Sequence, residues 1–137
     1  MAQSEPSLEH DFFVRTLAVW LERNGYAVGT CLEEQEQDKP PPLNGHRPDV
    51  YAMKRGSPSV IGLVELCERL HDESTRERWQ AVFAAANRPG CHPGYELHII
   101  LPSKCLDEAE QQAGAWGVTV TLHTEKLADQ WGLGGEQ

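Results

Sequence analysis

The fold turns on Arg47-Pro48-Asp49-Val50-Tyr51-Ala52-Met53-Lys54, a turn at Arg55-Gly56-Ser57-Pro58, and Ser59-Val60-Ile61-Gly62-Leu63-Val64-Glu65-Leu66-Cys67. Two β-prone runs flank a cluster of turn formers, and Pro48, which has no N–H to give a ladder, suits the first position of a strand. The stretch reads as an antiparallel hairpin. Centred on Ser57, it sets Asp49 opposite Glu65 with both carboxylates on one face. Opposed like charges need a positive charge between them, and a divalent metal ion is one way to supply it.

Residues Val60 to Leu66 are apolar on both faces apart from Gly62 and Glu65, the pattern of a strand covered on both sides in the middle of a sheet. A carboxylate at the end of such a strand is costly unless it is paired, hydrogen-bonded or metal-bound. Upstream, Leu8, Phe12, Phe13, Thr16, Leu17, Val19, Trp20 and Leu21 recur at helical spacing, and Asn24-Gly25 closes that helix. Residues Tyr26 to Leu32 alternate as a strand. Residues 33–46 form an acidic, proline-rich loop.

Downstream, the charged run Glu68 to Arg78 offers Ser74 or Thr75 as a cap for a helix with Trp79, Val82, Phe83 and Ala86 inward. Asn87 to Gly94 breaks that helix. A buried strand over Tyr95 to Leu101, a helix over Cys105 to Trp116, a strand over Val118 to His123 and a short helix over Glu125 to Trp131 complete the order, before a Gly-rich tail at 132–137. Early strands meet through a hairpin and late ones through helices. The expected architecture is one α/β domain spanning 1–137, with its core at about 8–123 and a mixed central sheet flanked by helices on both faces.

A chain of 137 residues with 39% hydrophobic and 24% charged residues suits a single globular domain. Its net charge of −9 lowers the expectation of generic attraction to nucleic-acid phosphates without excluding a local or metal-assisted site. No stretch reads as a signal peptide or a membrane span, so a cytoplasmic location is expected. With no C-x-x-C pair, Cys31, Cys67, Cys91 and Cys105 are expected to be reduced thiols. Cys67 and His71 would share a helical face, but a zinc site there needs tertiary convergence that sequence does not show. No Gly-rich phosphate loop, G-x-S-x-G or H-E-x-x-H is present.

The element order and the acid pair together resemble the PD-(D/E)XK nuclease-like superfamily, with its α-β-β-β-α-β core shared by many restriction endonucleases and Holliday junction resolvases. Pro48-Asp49 matches the first motif, and Glu65-Leu66-Cys67 occupies the second. The resemblance implies a divalent-metal-dependent endonuclease hydrolysing the phosphodiester bonds of DNA, as a homodimer if both strands are cut. In it Asp49, Glu65 and the main-chain carbonyl of Leu66 would hold Mg²⁺ or Mn²⁺. Glu9 resembles the extra acid that some members bring from the first helix.

Cys67 stands at the family's lysine position, and a neutral thiol cannot orient an attacking water as a cation does. Arg47, opposite residue 67 in the inferred register, is the first substitute, with Arg69 and Lys54 behind it. The alternative is a nuclease-like fold that has lost its chemistry and binds a protein or nucleic acid. An unrelated α/β domain is the third reading.

Overall fold

The computed structural model describes residues 8–86 and 95–131. The chain is α/β, with a five-stranded mixed sheet. Helix α1 (Leu8–Arg23) leads into β1 (Ala27–Thr30), β2 (Val50–Met53) and β3 (Ser59–Val64). Then follow α2 (Glu73–Ala86), β4 (Tyr95–Ile100), α3 (Leu106–Trp116), β5 (Thr121–His123) and a 3₁₀ segment, Glu125–Trp131. The breaker expected at Asn87 to Gly94 and the Gly-rich tail lie outside the described residues. Among the described residues, no helix is long and apolar enough to cross a membrane.

The strands lie side by side in chain order, β1-β2-β3 antiparallel and β3-β4-β5 parallel. Two successive crossovers of the usual right-handed sense, advancing in one direction, put α2 and α3 on the same face. There Trp79, Val82 and Ala109 pack on Ile61, Leu63 and Ile99. The other face belongs to α1, whose Phe13, Val14, Leu17 and Leu21 cover Val50, Ala52, Val60 and Val64. β3 is covered on both sides, which accounts for its unbroken apolar run.

Gly62 permits the close approach of α1. A methyl group there would lie 2.7 Å from Leu17 Cδ2 and 2.9 Å from Val50 Cβ. Gly117, at φ 72°, ends α3 in the left-handed conformation that glycine adopts most readily.

Four expectations are corrected. The hairpin is centred on Gly56, pairing Val50 with Gly62 and Tyr51 with Ile61. This register is two residues from the one that opposed Asp49 to Glu65; an even shift keeps every side chain on its face. On α1 the buried stripe is Phe13, Val14, Thr16, Leu17, Ala18 and Leu21, whereas Leu8 and Phe12 are 85% and 47% exposed. α2 begins at Glu73, and Thr75 lies within its first turn, donating from Oγ1 to the Arg69 carbonyl at 2.7 Å. Cys67 and Cys105 form a disulfide, Cα atoms 5.8 Å apart, instead of staying reduced. The strand order brings the turn after β3 beside the start of α3, a proximity that their spacing of 38 residues hides.

Candidate functional site

The carboxyl end of β3 opens into a cleft of about 290 Å³ between α1 and α2, lined by His10, His46, Glu65, Leu66, Arg69 and Arg78 among others. Crevices at the carboxyl ends of strands, with helices on opposite faces, are where α/β sheets hold ligands. Asp49 enters from the start of β2, because an antiparallel neighbour begins where β3 ends. Its amide donates to the Gly62 carbonyl at 3.0 Å. Glu65 follows β3, and its amide continues the ladder to the Ile100 carbonyl at 3.1 Å.

Both acids are buried, at 7% and 4% exposure, and are brought together by one guanidinium. Arg78 donates from Nη2 to Asp49 Oδ2 at 2.8 Å and from Nη1 to Glu65 Oε2 at 3.1 Å. The Trp79 indole N–H donates to the same Glu65 oxygen at 3.1 Å, and the Val64 amide to Asp49 Oδ2 at 2.8 Å. The planar fork of arginine suits two acceptors at once in a way that lysine's ammonium does not.

The acids diverge electrostatically. Burial pushes both upward, but at Asp49 the His10 hydrogen bond and the Arg78 charge outweigh it, holding its carboxyl below the usual range. At Glu65 burial prevails over Arg78 and Trp79, and its carboxyl is raised. Asp49 is the fixed anion; Glu65 is the more readily protonated.

The other edge of Asp49 faces α1 and β1. Oδ1 lies 3.1 Å from His10 Nε2 and accepts from Cys31 Sγ at 3.6 Å. His10, Cys31 and Asp49 place one donor atom each within 4.8 Å of one another, a group able to hold a metal ion. The Asp49 hydrogen bond leads in raising the His10 pKa against the effect of burial, whereas burial leads in pushing the Cys31 thiol up to about 12.

The cation between the acids is Arg78, which sequence reading did not single out. Arg47 turns away to Glu36 at 2.5 Å and the Pro40 carbonyl at 2.9 Å, anchoring the acidic loop. Lys54 caps the Asn24 carbonyl at 2.9 Å, over the Tyr26 ring. Arg69 does line the cleft, paired with Asp72 at 2.8 Å. Cys67 is held in the disulfide, and the Leu66 carbonyl accepts the Arg69 amide at 2.9 Å.

Glu9 is exposed; its neighbour His10 is the residue of α1 that reaches Asp49. His71 pairs with Glu108 and not with Cys67. One signal for Arg78 existed. It adjoins Trp79, the core anchor of α2, so a helix packed on β3 carries residue 78 past the strand's end.

Comparison with known protein families, with curated proteins and with solved structures finds no match to the chain.

Proposed function

We propose that the chain is a divalent-metal-dependent endonuclease that hydrolyses phosphodiester bonds of DNA. The carrying observation is Arg78, which lines the cleft beside buried Glu65 and ties it to buried Asp49. It supplies from α2 the cation that the PD-(D/E)XK-like pattern lacks at Cys67. Two carboxylates against one guanidinium leave the centre one negative charge in excess. A phosphate entering there needs a further positive charge, from protonated His10 or from a bound ion.

In this reading Arg78 and Arg69 orient the phosphate and offset the charge that develops on it. Glu65, raised by burial, takes a proton from the attacking water once Arg78 turns toward substrate. Mg²⁺ or Mn²⁺ on this side would use Asp49 Oδ2, Glu65 and the second lone pair of the Leu66 carbonyl, and its binding requires Arg78 to release both acids. A divalent cation, when bound, supplies Lewis acidity toward the phosphate and lowers the pKa of water.

A second reading is favoured by the completeness of the polar network. Asp49 and Glu65 are satisfied by groups of the chain itself, so the pair stands without an ion. The cleft would then bind nucleic acid or protein without hydrolysis.

Incubation with supercoiled plasmid in Mg²⁺ or Mn²⁺ separates the two. Cleavage that disappears in Glu65→Ala and Arg78→Ala supports the enzyme, and a concentration-dependent shift from nicked to linear product supports a homodimer. DNA binding without cleavage at any metal concentration supports the binding module. A cytoplasmic location belongs to the same proposal; the disulfide, uncommon in a reducing cytosol, weighs against it.

A further inference from the structure

We propose that His10, Cys31 and Asp49 form a binding site for a zinc-class transition-metal ion, with three protein ligands and a fourth position open toward the cleft. The site lies on the Oδ1 edge of Asp49, away from Arg78, and does not depend on the chain cleaving DNA.

The donors are one imidazole nitrogen, one sulfur and one carboxylate oxygen. That set suits Zn²⁺ and its neighbours, whereas Mg²⁺ takes oxygens in a near-octahedral shell. Donors about 2.0–2.3 Å from a tetrahedral ion lie roughly 3.3–3.8 Å from one another. The separations from Asp49 Oδ1, 3.1 Å to His10 and 3.6 Å to Cys31, already approach that spacing. Among the described residues no further His, Cys, Asp or Glu joins the group, so a water or substrate oxygen would complete the shell, as in catalytic zinc sites.

The supporting groups are those of a metal centre. Asp11 Oδ1 lies 3.5 Å from His10 Nδ1, a carboxylate–histidine pairing that turns Nε2 toward the ion. Val64 N–H and Arg78 hold Asp49 Oδ2 and leave Oδ1 for coordination. The Cys31 amide bonds to the Asp49 carbonyl at 2.9 Å, continuing the β1–β2 ladder, so two ligands share one rigid strand pair. The third comes from α1, clamped to the same sheet face by Val14 and Leu17. Cys31 lies outside the disulfide that holds Cys67 and Cys105. Binding expels the thiol proton and, from imidazolium, the proton between His10 and Asp49; no oxidation state changes.

The test is titration of the full-length, disulfide-intact protein with Co²⁺, then competition by Zn²⁺. We expect one equivalent of cobalt to give tetrahedral visible bands with a thiolate-to-metal charge-transfer band, all displaced by zinc. Cys31→Ser should abolish the charge-transfer band, Cys91→Ser should leave it intact, and Asp11→Asn should weaken zinc binding about 10–100-fold. Circular dichroism confirms that each variant is folded. If stoichiometric binding is absent, or Cys31→Ser and His10→Ala bind cobalt as the unsubstituted chain does, the site is refuted. Zinc binding without DNA cleavage in any metal would leave this site standing and overturn the nuclease. Mg²⁺-dependent cleavage by a chain that binds no zinc would do the reverse.

Discussion

Arg78 Nη2 lies 2.8 Å from Asp49 Oδ2, joining the second turn of α2 to the first residue before β2 across 29 positions of sequence. The other arm of the same guanidinium holds Glu65. Removing one partner of a buried ionic group costs far more than replacing the whole group, because the remaining charges are stranded. Arg78→Met should therefore lose about 3–5 kcal/mol in denaturant unfolding, while a triple replacement of Asp49, Glu65 and Arg78 by apolar residues of similar volume should regain most of it.

The same substitution has a pH signature. In the intact chain Asp49 titrates below its ordinary value, so the stability it adds is present above that value and fades as acid protonates the folded form. Without Arg78 its folded pKa rises toward the ordinary value while the His10 and Val64 hydrogen bonds remain, so less of that stability is left above it. The gap between the two proteins should be widest near neutrality and close on acidification, in unfolding curves measured at successive pH values.

The acid pair was legible in sequence because Glu65 ends an apolar run and Asp49 follows a proline at a strand start. Their relation was not. Register depends on which turn residue is central, and moving the centre from Ser57 to Gly56 changes who faces whom without changing any hydrophobic pattern. Arg78 lay within a charged stretch that periodicity treats as solvent-facing. His10 and Cys31 meet Asp49 only because α1 and β1 pack around the same strand end, a convergence in space that spacing along the chain does not encode. The α/β class and the two-sided cover of the sheet follow from local patterns, and those were readable.

His98 Nδ1 and His123 Nε2 are 2.9 Å apart, so one ring donates and the other accepts while both are neutral. Glu96 lies 3.2 Å from the remaining His98 nitrogen, and the Trp20 ring covers both imidazoles. Burial lowers both pKa values, that of His123 to about 4, from 6.5. Between these limits the unfolded chain binds more protons, so stability should decline as pH falls from 6.5, at up to about 1.4 kcal/mol per pH unit for each proton. His123→Phe should flatten that slope in thermal or denaturant unfolding; an unchanged slope would assign it to other groups.

Gly62→Ala tests the seat of α1. Its new methyl meets Leu17, whose terminal atoms can move, and Val50, whose Cβ cannot move without its strand. Overpacking of this kind costs about 1–3 kcal/mol. Because α1 also carries His10, the variant should bind cobalt more weakly than the intact chain while its circular dichroism stays native. Undiminished stability would mean that the helix rides out freely.

The Cys67–Cys105 bond closes a loop that holds α2 and β4, its ends 38 positions apart. Tying those ends restricts the unfolded chain, and loops of this size contribute about 2–4 kcal/mol. Thiol titration of the denatured protein should therefore find two more thiols after reduction than before. Reduction, or Cys67→Ser with Cys105→Ser, should lower the melting temperature by on the order of 10 °C for a domain of this length. The local effect is more specific: Cys67 begins the 3₁₀ turn Cys67–Arg69, so release of the bond loosens Arg69 at the cleft wall while leaving Arg78, anchored by Trp79, in place. If the cleft binds DNA and His10, Cys31 and Asp49 bind cobalt as proposed, reduced protein should weaken in the first and keep the second. Loss of both together would show that the disulfide supports the whole strand end and not the turn alone.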